Sequence, residues 1–340
     1  MDQETSAQAA LDISNKPPLT MRGQLLLSIF WFALNFQQSA LLPVVVAAQV
    51  LLFASNRDKV VLFGVLSACG TFVALLAQPL IGAISDHTHL HYGRRRPYIL
   101  LGTILTLIGM AVMAKTTTLL IFALAFLLVQ LASNGSTAAY QSLLPDRVPP
   151  EQRGAASGYM GLMSIIGAFA SLAAASYFFS NVVAGPNQSA EISDGASAFY
   201  LLAGALMLVT ALITVIGIVE EPATVLQRSR QRVSWYQRSV RLWTDPLKHH
   251  NFRWVFLTRL SLMMGLWLFQ TFVEYYLDDV LHLTNFVAAT GVIAGLALVG
   301  AVASAFVAGW LSDHSGRVRV VYVASGLMAL VVNVLPNEQV

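Results

Sequence analysis

Long uncharged apolar runs alternate with short polar segments along most of the chain. Runs of 18 or more apolar residues read as membrane-crossing helices, because only a helix satisfies its own backbone groups in lipid. The pattern predicts nine spans, over 24–50, 60–84, 98–114, 118–141, 155–179, 198–219, 253–277, 287–311 and 320–335. Between spans six and seven lies the longest polar connection, 220–252, with Val233, Tyr236, Val240 and Trp243 at helical spacing among Arg232, Arg238 and Arg241. Such a segment suits an amphipathic helix on a membrane surface, with an unstructured basic linker as the alternative. The organisation expected is a polar tail (1–23), a six-helix bundle (24–219), a basic linker (220–252) and a partial second bundle of three helices (253–340).

The polar residues inside the spans fall in stripes. Asn35, Gln38 and Ser39 in span one are three and four apart and share a face, from which Gln37 points away. Gln130, Asn134, Thr137 and Gln141 form a second stripe in span four, and Arg259, Gln270 and Glu274 a third in span seven. Polar groups at membrane depth face either a bundle interior or a water-filled cavity. The stripes are therefore candidates for a solute-binding cavity or for interhelical packing contacts. Arg259 and Glu274 stand about 22 Å apart along one helix and cannot pair. Each has a plainer reading, Arg259 snorkelling at one end and Glu274 a solvated rim residue.

Composition agrees with this class: 56% of residues are hydrophobic and 11% charged. With the N-terminus inside, the inner segments hold 16 Lys and Arg and the outer loops 3, so the positive-inside rule places the N-terminus in the cytoplasm of a plasma-membrane protein. The net charge of +3 then belongs to inner loops facing lipid headgroups rather than to a nucleic-acid site. A lone Cys69 excludes a disulfide framework. His87, His89 and His91 lack a further ligand set, so no metal is expected. There is no Walker-type phosphate loop, nucleophile elbow or zinc-ligand helix, so neither a cofactor nor an enzymatic activity is expected.

One segment occurs twice. Gly82-Ala83-Ile84-Ser85-Asp86-His87 leads into Gly93-Arg94-Arg95-Arg96, and Gly309-Trp310-Leu311-Ser312-Asp313-His314 leads into Gly316-Arg317-Val318-Arg319. An Asp at a helix end near Gly and arginines can form charge-assisted bonds that latch helices in one state and release them in another. The alternative is that the arginines are only positive-inside anchors. On these residues the chain resembles the major facilitator superfamily. The longer first copy, closed by Arg94-Arg95-Arg96-Pro97, with Leu144-Pro145-Asp146 and the seventh span's Tyr275, Tyr276 and Asp279, is similar to the sucrose:proton and glycoside–pentoside–hexuronide:cation symporters.

The resemblance implies an all-α polytopic bundle in which spans one, four and seven line a central cavity. It implies alternating access, with the duplicated clusters as gates. The cavity candidates are then Asn35, Gln38, Ser39, Gln130, Asn134, Thr137 and Gln270, whose amides and hydroxyls both donate and accept, as a polyhydroxylated solute requires. Glu274 and Arg259 are the candidates for coupling to a proton or sodium ion, although the first six spans contain no Asp, Glu, His, Lys or Arg. The small-residue pairs Gly154/Gly158 and Gly291/Gly295 are where spans five and eight would meet. Twelve helices are the pattern of the superfamily, so nine imply that a last triplet is absent and that these 340 residues alone transport poorly. The expectation is a secondary transporter of a sugar or glycoside. Its alternatives are a transporter of another small organic solute, drug export included, and a truncated membrane protein without transport activity.

Overall fold

The computed structural model describes residues 19–54, 58–87, 95–143, 147–149, 152–183, 186–217, 250–279, 285, 287–300, 322–323 and 325–326. Among these the secondary structure is helical, with turns and no strand. Six helices are long and apolar enough to cross a membrane: α1 (Met21–Val50), α2 (Lys59–His87), α3 (Arg96–Lys115), α4 (Leu119–Gln141), α5 (Arg153–Phe178) and α6 (Gln188–Gly217). Two more follow, α7 (His250–Asp279) and the apolar α8 (Val287–Gly300). The basic segment 220–249 lies outside the described residues, as does the ninth span apart from two short helical pieces.

Local chemistry sets the helix ends. Thr20 caps α1, its hydroxyl oxygen accepting the Gly23 N–H at 3.2 Å. Pro43 cannot donate a backbone bond, and α1 widens into a π-helical stretch over Leu41–Val46 before resuming. Pro97 starts α3, where a missing N–H costs nothing. Thr116 and Thr118 then turn the chain directly into α4, the Thr118 N–H reaching the Thr116 hydroxyl at 3.2 Å. Helix α6 begins ten residues before the apolar run expected from 198, because its polar first turns, with Glu191 and Asp194, remain helical beyond that run. The Glu191 carboxylate accepts the Val183 N–H across that turn.

The chain divides into two compact units, one of Met1–Arg232 with Thr271–Val292, the other of Val233–Gln270 with Ile293–Val340. In the first, the closest helix pairs are α1–α5, α3–α4, α2–α4, α1–α6 and α3–α6. Small residues permit that proximity. A Cβ added to Gly102 of α3 would stand 2.7 Å from the Ala132 carbonyl oxygen of α4, and one on Gly167 of α5 would stand 2.4 Å from the Phe32 carbonyl oxygen of α1. Phe30, Phe36, Phe63, Phe122, Phe126 and Phe199 fill the core between them. The opposite faces carry exposed Val61, Phe72, Leu75, Leu120, Leu124, Leu201 and Ile216, the surface expected where lipid replaces water.

Two ends of this unit can be distinguished by the contacts they hold. The near end carries Met21, Ser85, Arg95 and Gln141; the far end carries Val50, Lys59, Lys115 and Phe178. At the far end Gln49, buried in α1, receives the Tyr200 hydroxyl of α6 and donates toward the Met113 carbonyl of α3. The last turns of α7 and the first of α8 also sit there. The Tyr275 hydroxyl donates to the Ala47 carbonyl at 3.1 Å, and its ring meets Phe63 edge-on. Lys59 lies over that ring, and the Ser176 hydroxyl of α5 donates to the Ala288 carbonyl of α8. In the second unit, the described part of α7 exposes Trp254, Leu257, Leu260, Met264, Trp267 and Leu268.

Candidate functional site

The polar residues of α1 and α4 occupy the middle of the first unit, each held differently. Asn35 donates to the Trp31 carbonyl of its own helix at 2.8 Å and accepts the Ser164 hydroxyl of α5 at 2.7 Å. Its amide thus ties α1 to α5. Asn134 donates to the Gln130 carbonyl one turn back and accepts the Gln78 amide of α2 at 3.0 Å. Thr137 is buried and back-bonds to the Ser133 carbonyl. Gln130 is half-buried, Ser39 likewise, and Gln38 is exposed.

Sequence reasoning passed over several neighbours. Gln78 precedes Pro79 in an otherwise apolar run, and a lone amide there gives no stripe to notice. Gln37, set aside in favour of Gln38, is fully buried, and neither polar atom of its side chain has a hydrogen-bond partner. Ser133 is also fully buried with an unpaired hydroxyl. Tyr140 spans the seam between α1 and α4. Its hydroxyl donates to the Leu27 carbonyl, and its ring meets Phe30 edge-on at 5.3 Å and stacks on Trp31 at 5.8 Å.

The first duplicated cluster lies at the near end. Gly82, Ser85, Asp86 and His87 form the last turns of α2 rather than a loop. The Ser85 hydroxyl donates to the Gly82 carbonyl at 2.9 Å, and the buried Arg95 guanidinium reaches that hydroxyl at 3.5 Å. One of the three arginines therefore joins the end of α2 to the start of α3, whose first residue is Arg96. Gly93 and Arg94 lie outside the described residues, as do Gly309, Asp313, Gly316, Arg317 and Arg319. Arg259, Gln270 and Glu274 are helical positions of α7 whose side chains also lie outside them, as does that of Asp86. Of the two glycine pairs, Gly291 packs against α5, where a Cβ would stand 3.0 Å from the Leu172 carbonyl oxygen. Gly158 and Gly295 have open space beside them, and Gly154 carries no described surroundings.

A bundle of membrane-length helices, apolar outside and polar along its inner seams, defines an integral multi-pass membrane protein. The sequence profile of the Major Facilitator Superfamily matches residues 27–336, and the chain belongs to that superfamily. It is 29% identical over 121 residues to sucrose transport protein SUC3 of Arabidopsis thaliana, a match covering 29% of this chain and 20% of the relative. It is 29% identical over 127 residues to sucrose transport protein SUC4 of the same plant, covering 32% of this chain and 25% of the relative. Sucrose transport protein SUT4 of Oryza sativa subsp. japonica is 30% identical over 125 residues, covering 29% and 21%. These matches thus span at most a quarter of each relative's length. Among solved structures, that of the nucleoside transporter NupG superimposes with a TM-score of 0.60 at 14% identity, over 87% of this chain and 69% of that one, which establishes a shared fold. Membership of this superfamily, rather than of an enzyme family, is what the match over residues 27–336 shows.

Proposed function

We propose that this chain serves a secondary transporter that moves a sugar or glycoside across the plasma membrane by alternating access. The observation that carries the reading is the similarity to sucrose transport proteins. The interior chemistry supports it. Gln37, Gln130, Ser133, Asn134 and Thr137 offer neutral donors and acceptors in one half-bundle, beside the aromatic faces of Trp31 and Tyr140. Neutral amides and hydroxyls suit a solute whose polar groups are themselves hydroxyls. The near end is cytoplasmic in this reading, which follows the bias of basic residues toward those loops. The contacts of α7 and α8 on the far end then close the outer side of the first unit, and the Ser85–Arg95 contact belongs to an inner gate. Glu274 on α7 is the proton-coupling candidate.

The test is uptake of labelled sucrose and maltose by transport-deficient cells making the full-length gene product, with and without an inward proton gradient. Gradient-driven uptake that Glu274→Gln uncouples is the expected result. Uptake of other solutes but no sugar would overturn the substrate class, and unchanged gradient dependence in Glu274→Gln would overturn the coupling role.

A further inference from the structure

The seam between α1 and α4 holds unmade hydrogen bonds that neither helix can satisfy. Gln37 is fully enclosed with its Oε1 and Nε2 both unpartnered, and Ser133 is fully enclosed with its Oγ unpartnered. Their relative placement follows from one ring contact. The Tyr140 ring of α4 meets Phe30 of α1. Gln37 lies seven residues beyond Phe30 toward the far end, and Ser133 seven residues before Tyr140, also toward the far end because α4 runs the opposite way. Seven residues are two turns, about 10.5 Å, and return to nearly the same helix face. The unpaired amide and the unpaired hydroxyl therefore lie on the helix faces that carry the Phe30–Tyr140 contact, each about two turns further toward the far end.

That seam differs from its neighbours. Helix α1 is closely packed on α5 and α6, and α4 on α2 and α3, whereas α1 and α4 are not among the closely packed pairs. Large side chains, Tyr140 above all, close the space between them. A seam closed by side chains can open by rotamer changes without separating packed backbones. An unsatisfied amide inside a bundle is costly, and lipid supplies no water to relieve it. A guest with its own hydroxyls would.

We propose that Gln37 and Ser133 form a diol-recognition subsite for the transported solute. This inference rests on the sugar-transport reading above. A primary amide presents an acceptor and a donor side by side, so Oε1 accepts the proton of one hydroxyl while Nε2 donates to the oxygen of the next. The Ser133 hydroxyl approaches the same pair from α4. The stacked Trp31–Tyr140 rings lie two turns toward the near end, where the apolar face of a sugar ring can pack.

The experiment measures binding of sucrose and a series of single-deoxy sucroses to the purified full-length transporter, wild type against Gln37→Leu and Ser133→Ala, by calorimetry. Thermal unfolding without sugar accompanies it. Removing one particular hydroxyl is expected to weaken wild-type binding about tenfold, the ratio that matches one neutral hydrogen bond. Gln37→Leu is expected to bind parent and deoxy sugar equally and Ser133→Ala to narrow their difference, both unfolding at or above the wild-type temperature. Variants that keep the wild-type deoxy pattern overturn the subsite, including the case where Gln37→Leu is stabilised and sugar recognition is unchanged, which would mark a water site. Should one variant misfold, the other decides. A wild type that binds no sugar at all overturns the sugar reading and the subsite with it, whereas sugar binding with an unaltered pattern overturns the subsite alone.

Discussion

Alanine at Gly167 tests how α5 is seated on α1. The added Cβ would lie 2.4 Å from the Phe32 carbonyl oxygen and 3.3 Å from the Asn35 Cβ. An ordinary carbon–oxygen contact needs about 1 Å more than the first distance, and the obstruction is backbone, so the helices themselves must part. Overpacking of this kind costs about 1–3 kcal/mol. The Asn35–Ser164 bond of 2.7 Å lies one turn away on the same seam, and its loss adds about 0.6 kcal/mol, the average for such bonds in membrane bundles. A total of about 2–4 kcal/mol corresponds to a fall of roughly 4–16 °C in Tm at the scaling of mid-sized domains. The assay is thermal unfolding of purified protein in detergent. Gly158→Ala is the comparison, because nothing lies within 4 Å of that position, and it should gain only the helix preference of alanine over glycine, about 0.5–1 kcal/mol, which Gly167→Ala shares. Equal melting temperatures for the two variants would refute the close α1–α5 contact.

Three further outcomes follow from particular contacts. Asn134→Leu strands the Gln78 amide and should destabilise by about 0.6–1.7 kcal/mol; adding Gln78→Leu should recover part of that loss in a double-mutant cycle, and strict additivity would argue against the bond. Ser85→Ala removes the hydroxyl that Arg95 reaches and should lower the maximal transport rate more than the apparent affinity; a change in affinity alone would speak against a gate. Tyr275→Phe keeps the Phe63 contact but loses the bond to the Ala47 carbonyl. Labelling of a cysteine placed at buried Val287 by a membrane-impermeant maleimide, in a Cys69→Ser background, should then rise several-fold, whereas unchanged labelling would mean that the bond does not hold the far end closed.

The helices were legible in the sequence because lipid leaves the backbone no other choice. An apolar run of sufficient length must be helical, and its polar interruptions mark its ends. Helix α6 shows where that logic stops: hydropathy reports the membrane core, and the helix continues past it through Glu191. The polar stripes were legible only in part. Helical spacing groups Asn35 with Gln38 and Ser39, but it gives relative faces and says nothing of which neighbour covers each face. Burial of Gln37 and exposure of Gln38 depend on where α4, α5 and α6 stand, which one helix cannot encode. Gln78 was hidden for a related reason, since its partner Asn134 lies 56 positions away on another span. The duplicated cluster was readable as a motif. Its bond from Arg95 to Ser85 was not, because it depends on how the chain between them returns.

Counterflow tests the central claim most directly. Proteoliposomes containing the full-length gene product are loaded with unlabelled sucrose and diluted into trace labelled sucrose, which needs no ion gradient. The account predicts a transient accumulation of label above equilibrium, absent from empty liposomes and suppressed by excess external sucrose. Counterflow of another organic solute from the same liposomes, with none for sucrose or other disaccharides, would contradict it.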